Sequence, residues 1–363
     1  MDLKSLFRIL VIVTIFIVFG LSFNLFYAKN NDDVLIGNSG GKPVKDTDLE
    51  ITAEEPEERG YPRPKEGISV YIGMNQKKWL SDFGSPSRIE YSYYGYQWWI
   101  YEKDNQYIAA GQKDGKIVTV AVAGKGMNTA PFEIGESMES VYKKVSMQTE
   151  VEFEYEDGIY KFELFENDLN TQPLIPLGDI FAQLYFDNFK GELMFVRFLD
   201  KETLLLHRPY DLIYRGDLVE KEMEENEWIM ADQSSERQIF DLTNLIRKSY
   251  GSNPLEWDAV VSEVAYEHSK DMQETQTFSH ISEKFGDLSD RLSAKEVYYE
   301  VAGENIASQY VDSFSVIAGW MNSKSHRDTF LNKEFTHLGV GVYKKYFTQN
   351  FIRRSWEETE PEE

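Results

Sequence analysis

The chain has 363 residues, a formal net charge of −24 and no cysteine. That length exceeds one ordinary domain and sets two or three folded units as the expectation. The acidity, with no basic patch to offset it, argues against nucleic acid as a partner. The lack of cysteine excludes disulfides, thiolate nucleophiles and Cys-based metal sites.

At the N-terminus, "MDLKSLFR" carries Lys4 and Arg8, and Ile9 to Tyr27 follows as an apolar run broken mainly by Asn24. As a helix this run is about 28 Å long, close to the thickness of a bilayer's hydrocarbon core. The positive end stays in the cytoplasm, which predicts a single-pass membrane protein with the bulk of the chain extracytoplasmic. A signal-peptidase site after Ala28 would put Phe26 where a small residue is needed. Residues 1–28 therefore read as an anchor, with a cleaved signal segment and a secreted product as the alternative. Residues 29–66 are polar and acidic, end in "GYPRPKEG", and predict a flexible linker.

From residue 67 to 207 one pattern occurs twice. "YIGMNQKKWLSDFG" and "EIGESMESVYKKV" both carry Ile-Gly, a polar gap and apolar residues at helical spacing. Strand-like runs follow each: "YQWWIYE", "QYIAAGQ" and "KIVTVAVAG", then "EVEFEYE", "IYKFELFE", "AQLYFD" and "GELMFVRFL". The expectation is a duplicated helix-plus-antiparallel-sheet domain. Its aromatics Tyr91, Tyr93, Tyr94, Tyr96, Trp98 and Trp99 suit core packing better than glycan or peptide binding. Residues 208–234 read as a connector with an acidic run, Glu220 to Glu227.

A further folded unit spans 235–354, ahead of an acidic tail at 355–363. Ile239, Leu242, Leu245 and Ile246 share one helical face, with Ser234 or Ser235 as expected N-cap and Gly251 as stop. Asp258 is placed to cap a second helix with Val261, Val264, Ala265 and Met272 inward. "SFSVIAGWMNS" predicts a third helix, and "HLGVGVYKK" and "YFTQNFI" predict two closing strands. Four of the five histidines lie here: His268 inside a helix, His280 and His326 just past helix ends, and His337 at a strand start. Glu304 stands in "EVAGENIASQY", an isolated carboxylate between apolar residues, and such a group requires a partner when buried.

In this order "NPLEWD", "AYEHSKDM", "FSH", "DRL", "GENIA", "SHRDTFLN", "FTHLGVGVY" and "YFTQNF" resemble bacterial members of the CAP superfamily of cysteine-rich secretory, antigen 5 and pathogenesis-related proteins. The preceding half looks like the associated domain of Gram-positive, Bacillus-type members. The resemblance implies an α+β protein whose C-terminal domain is a three-layer α-β-α sandwich around a mainly antiparallel sheet. It also implies a cleft to which "FSH" contributes His280, "GEN" Glu304 and "SHR" His326. A second glutamate common in eukaryotic relatives corresponds to Ser323 here. Asn305 and His337 are weaker ligand-binding candidates at the cleft edge.

Two imidazoles and a carboxylate suit Zn²⁺ or another divalent cation, and they suit acid/base work without metal. They also suit a hydrogen-bonded network that only orders the cleft. No serine stands in a nucleophile motif, and Ser279 beside His280 does not make a dyad. Two functions stay open. One is a membrane-tethered module binding a cation, peptide, lipid or cell-wall fragment. The other is a metal-assisted hydrolase of peptide or envelope material, with His280, Glu304 and His326 as its catalytic groups.

Overall fold

Among the described residues, three sheets build the fold. The computed structural model describes residues 35–37, 42–50, 60–103 and 105–354. The predicted membrane segment, parts of the linker and the acidic tail lie outside the described residues. Among those described, no helix is long and apolar enough to cross a membrane.

In chain order, β1 (Leu35–Ile36) and β2 (Val44–Lys45) precede α1 (Gln76–Phe83), β3 (Arg88–Tyr91), β4 (Gln97–Lys103), β5 (Gln106–Lys113) and β6 (Lys116–Ala123). A second set follows: α2 (Met138–Lys144), β7 (Glu150–Tyr155), β8 (Gly158–Glu163), α3 (Glu166–Thr171), β9 (Leu174–Leu177), β10 (Ile180–Asp187), β11 (Glu192–Leu199), α4 (Lys201–His207) and β12 (Asp211–Arg215). The C-terminal part is α5 (Glu225–Ser249), β13 (Glu256–Trp257), α6 (Ala259–Thr275), α7 (Leu288–Ala294), β14 (Tyr299–Ser308), α8 (Ser313–Asn322), α9 (Lys324–Leu331), β15 (His337–Tyr343) and β16 (Tyr346–Arg354).

The two N-terminal sets correspond at their helix starts. Asn75 caps α1 and bridges Lys116, the first residue of β6; Ser137 caps α2 and bridges Glu192, the first residue of β11. Trp79 and Val141 of these helices are buried in one core on the same seven-stranded sheet, ordered β3-β4-β5-β6-β11-β10-β9. The sets differ in their strands. β7 and β8 leave that sheet and join β12 and β2 in a separate four-stranded one. The reason is apolar: Val151, Phe153 and Phe162 pack with Leu204, Leu205, Tyr210 and Leu212 in their own core.

The expected connector is therefore structured, and its boundary moves. β12 pairs antiparallel with β8, and α5 begins ten residues ahead of the predicted start at 235, with Glu224 rather than Ser234 or Ser235 at the N-cap. Ser234 is interior: its hydroxyl donates to the Met230 carbonyl and accepts from the Tyr91 amide. The extra turns exist because the aromatic β3–β4 turn and the start of β4 pack against them. Tyr93, Tyr94, Tyr96 and Trp98 share one core with Ala231, Ile239, Phe314 and Trp320. Of the six aromatics singled out in the sequence, only Tyr91 is exposed.

In the C-terminal part, the antiparallel trio β14-β16-β15 is flanked by short parallel β1 and β13. The alternation in "HLGVGVY" sends Leu338, Val340 and Val342 into the core with α5, α8 and α9. On the opposite face stand Gly339 and Gly341. A Cβ at Gly341 would lie 1.9 Å from the Tyr266 amide nitrogen, and one at Gly339 2.3 Å from that of Ser262. Glycine is required there because α6 lies directly on the strand. The result is α6 and α7, then the sheet, then α5, α8 and α9, as the resemblance implied.

Candidate functional site

Glu304 lies on the α6 face of β14. It is opposite Asn350 of β16, which in turn pairs with Gly339 of β15. This row runs beneath α6, so a carboxylate here is buried. Its partners come from three directions. The loop after α6, closed by paired backbone hydrogen bonds of 3.0 Å between Ser282 and Gly286, presents His280. The His280 Nδ1 is 2.8 Å from Glu304 Oε1. Asp287 then caps α7, accepting from the Asp290 amide at 3.0 Å, and α7 carries Arg291 back over the loop. Arg291 donates to the carbonyls of His280 and Gly286 at 3.0 Å each and to Glu304 Oε2 at 2.5 Å. From above, His268 of α6 places Nε2 3.8 Å from Glu304 Oε1.

The electrostatics follow from this packing. Burial pushes the Glu304 carboxyl up. The His280 hydrogen bond and the charges of the neighbouring His and Arg side chains outweigh that, and its pKa falls to about 2. For His268 burial wins: its pKa falls to about 4 although Glu304 pulls it up. His268 is thus neutral at neutral pH. The His280 hydrogen bond and the Arg291 guanidinium are then what keep Glu304 ionised. The His280–Glu304 contact favours the tautomer with its proton on Nδ1, donated to the carboxylate. His280 is the accessible member, with a side chain 30% exposed against 4% for Glu304 and Arg291.

His326 enters from the other side of β14. Asn305 points opposite to Glu304 and donates to the His326 carbonyl at 3.2 Å and to Gln349 Oε1 at 3.4 Å. It is buried, so it positions α9 rather than lining a cleft as expected. The His326 Nδ1 is 2.8 Å from Ser323 Oγ. Arg327, the next residue, is gripped by Asp187 at the end of β10, with two contacts of 3.0 Å. Tyr250 also bonds Asp187. His337 is not brought to the site. It starts β15, two strands away from β14, with Nε2 3.7 Å from Glu256.

The donor set does not fit the expected metal. Both oxygens of Glu304 are engaged, one by a guanidinium that repels a cation. Among the described residues no group of three His, Asp or Glu is arranged to hold a metal ion. Sequence reading missed Arg291, seen only as part of "DRL", and placed His268 only inside a helix. Asn350 stood in "YFTQNF" with no role assigned to it. Both His268 nitrogens and both polar atoms of Asn350 are buried without a hydrogen-bond partner among the described residues.

Residues 72–210 match the CAP-associated N-terminal family, and residues 240–352 match the cysteine-rich secretory protein family, CAP. A Bacillus subtilis (strain 168) protein named "Uncharacterized membrane protein YlbC" is 41% identical over 321 residues, 88% of this chain and 93% of its own length. The chain belongs to the CAP family. The CAP domain's setting is also matched in solved structures. An extracellular protein containing a SCP domain from Bacillus anthracis str. Ames superposes with a TM-score of 0.77 at 41% identity, covering 85% of this chain and 99% of that one. A cysteine-rich secretory protein from Staphylococcus aureus subsp. aureus Mu50 (SAV1118) gives 0.73 at 28% identity, covering 89% and 100%. Both structural matches span the associated domain as well as the CAP domain.

Proposed function

We propose that this CAP protein is an extracytoplasmic binding module, held at the membrane by its N-terminal segment, whose cleft takes an extended peptide-type ligand of the envelope or surroundings. The observation that carries the reading is the free edge of β14. Among the described residues β1 covers that edge only at Ala307 and Ser308, while Tyr299 to Glu304 are partly exposed. An uncovered strand edge offers backbone donors and acceptors to an added strand. His280, backed by ionised Glu304, stands beside it as a side-chain contact. The membrane and extracytoplasmic parts draw support from the apolar N-terminal run, and from the names of the B. subtilis relative and the B. anthracis structure.

Backbone amide NMR of the protein titrated with cell-wall stem peptides tests the cleft. Saturable shifts along 299–306 and at His280 are expected, and shifts confined to other regions would sink the reading. Mass spectrometry of the mature N-terminus tests the tether: a start near Asn30 would mean a cleaved, secreted product.

One observation favours a hydrolase instead. Ser323 and His326 lie within hydrogen-bond reach, as a nucleophile and its base must. Turnover of the same peptides, lost in Ser323→Ala and in His326→Ala, would establish that reading over the binding one.

A further inference from the structure

Where the associated domain, the start of α5 and the β15–β16 turn meet, they line an open pocket of about 280 Å³. Lys345, Arg208, Lys221, His207, Tyr94 and Trp228 contribute to its wall, and no aspartate or glutamate does. Of its cations, Arg208 pairs outward with Glu220 at 3.4 Å and Lys221 with Glu227 at 2.9 Å, which leaves Lys345 as the one with no ion pair among the described residues.

Lys345 is its focus. The ammonium donates to the Tyr94 hydroxyl at 2.9 Å and lies 5.3 and 4.7 Å from the ring centroids of Tyr93 and Tyr94. Tyr94 in turn donates to the Val311 carbonyl. An ammonium has three donors, and one is engaged. Among the described residues no carboxylate lies within ion-pair range of Lys345. The acids that face it are committed elsewhere: Asp312 to Arg197, and Asp232 to the Tyr93 hydroxyl and the Lys344 amide. Its neighbour Lys344 pairs outward with Glu225. His207 bonds the Tyr96 hydroxyl through Nε2, and its Nδ1 is buried with no hydrogen-bond partner among the described residues.

The backbone supports the same reading. Arg208, Gln309 and Lys345 all line this cavity and all have left-handed φ values, 43°, 62° and 64°. Side chains other than glycine or asparagine adopt that conformation at a cost, and strain of this kind collects at functional sites. Lys344 and Lys345 together form a two-residue hairpin turn of the kind that asparagine-glycine fills most easily.

We propose that this cavity binds a small oxyanion, a carboxylate or phosphate group on a compact body, held by Lys345 and Arg208 with His207 as a further polar contact. Burial lowers the Lys345 pKa to about 8, and a bound anion would raise it again. The site is separate from the His280–Glu304 cleft and does not rest on the function proposed for it.

Calorimetric titration of the full-length chain with inorganic phosphate and with benzoate, at low ionic strength, tests this. Saturable binding of either probe is expected, and the preferred probe identifies phosphate or carboxylate as the ligand group. Lys345→Met should weaken it by roughly tenfold or more and Arg208→Gln by a smaller factor, while Lys143→Gln, at an exposed position on α2, leaves it unchanged. Should Lys345→Met not fold, the wild-type Lys345 side-chain amine followed by NMR must show a rising pKa on adding the bound probe. No saturation by either anion, unchanged affinity in a folded Lys345→Met, or a Lys345 signal indifferent to the anion would each overturn the proposal.

Discussion

Arg291 and Glu304 meet at 2.5 Å with both side chains only 4% exposed, and the same guanidinium holds the loop that carries His280. One residue of α7 thus neutralises the buried carboxylate and shapes the cleft mouth. Removing one partner of such a pair strands the other's charge. Arg291→Met is expected to destabilise the fold by about 3–5 kcal/mol in urea unfolding. Adding Glu304→Gln should recover part of the loss. Additive losses in the double variant would mean the two residues are not coupled.

The buried histidine sets a pH dependence. His268 has a folded pKa of about 4 against 6.5 when exposed. Unfolded chains therefore bind the extra proton between these values, and the stability gained by burying a neutral ring is full above 6.5 and is lost as pH falls toward 4. Glu304 adds a second loss below that, from 4.5 toward about 2. Asp232 and Glu236, raised by burial to about 7, act in the opposite direction and lose stability as pH rises toward 7. The His268 contribution is isolated by subtracting His268→Leu from wild type. The difference should shrink by on the order of 3 kcal/mol from pH 6.5 to 4, and a flat difference would refute the neutral buried ring.

Asp187 and Arg327 join the associated domain to the helix bearing His326. Arg327→Met should destabilise by about 3–5 kcal/mol, since Asp187 is then buried without its cation. It should also move the ring resonances of His326, one residue away, in histidine-detected NMR. Unchanged His326 resonances would show that the associated domain does not position this side of the cleft.

Gly341→Ala puts a methyl group into the backbone of α6. Overpacking of this kind costs about 1–3 kcal/mol and sometimes more. Because α6 also carries His268, the His280 and His268 ring signals should shift together with the fall in unfolding midpoint. Wild-type stability in this variant would mean that α6 does not rest on β15 as closely as described.

Much of the C-terminal fold was legible because its signals are local. Asp258 caps α6 as its position predicted, accepting from the Val260 and Val261 amides at 3.1 Å. Trp320 is buried on α8, with its indole donating to the Ile306 carbonyl at 3.1 Å. The pairing of His280 with Glu304 was also anticipated. The start of α5 was not, because the first turns of that helix are held by Tyr91 and Tyr93, more than a hundred residues earlier in the chain. The metal expectation met the Arg291 guanidinium, which composition and spacing do not reveal.

By itself the sequence determined the element types of the C-terminal part, through periodicity, capping and local order, and its resemblance to the CAP superfamily supplied the candidate residues His280, Glu304 and His326. Only the tertiary structure decided which charges face each other. It set the Arg291 guanidinium against Glu304, turned Asn305 and His337 away from it, tied Arg327, the neighbour of His326, to Asp187 of the other domain, and gathered Lys345 with Arg208. Burial makes those choices, because a charge taken from water must be neutralised by whatever the fold brings within a few ångströms, and chain order does not record that distance.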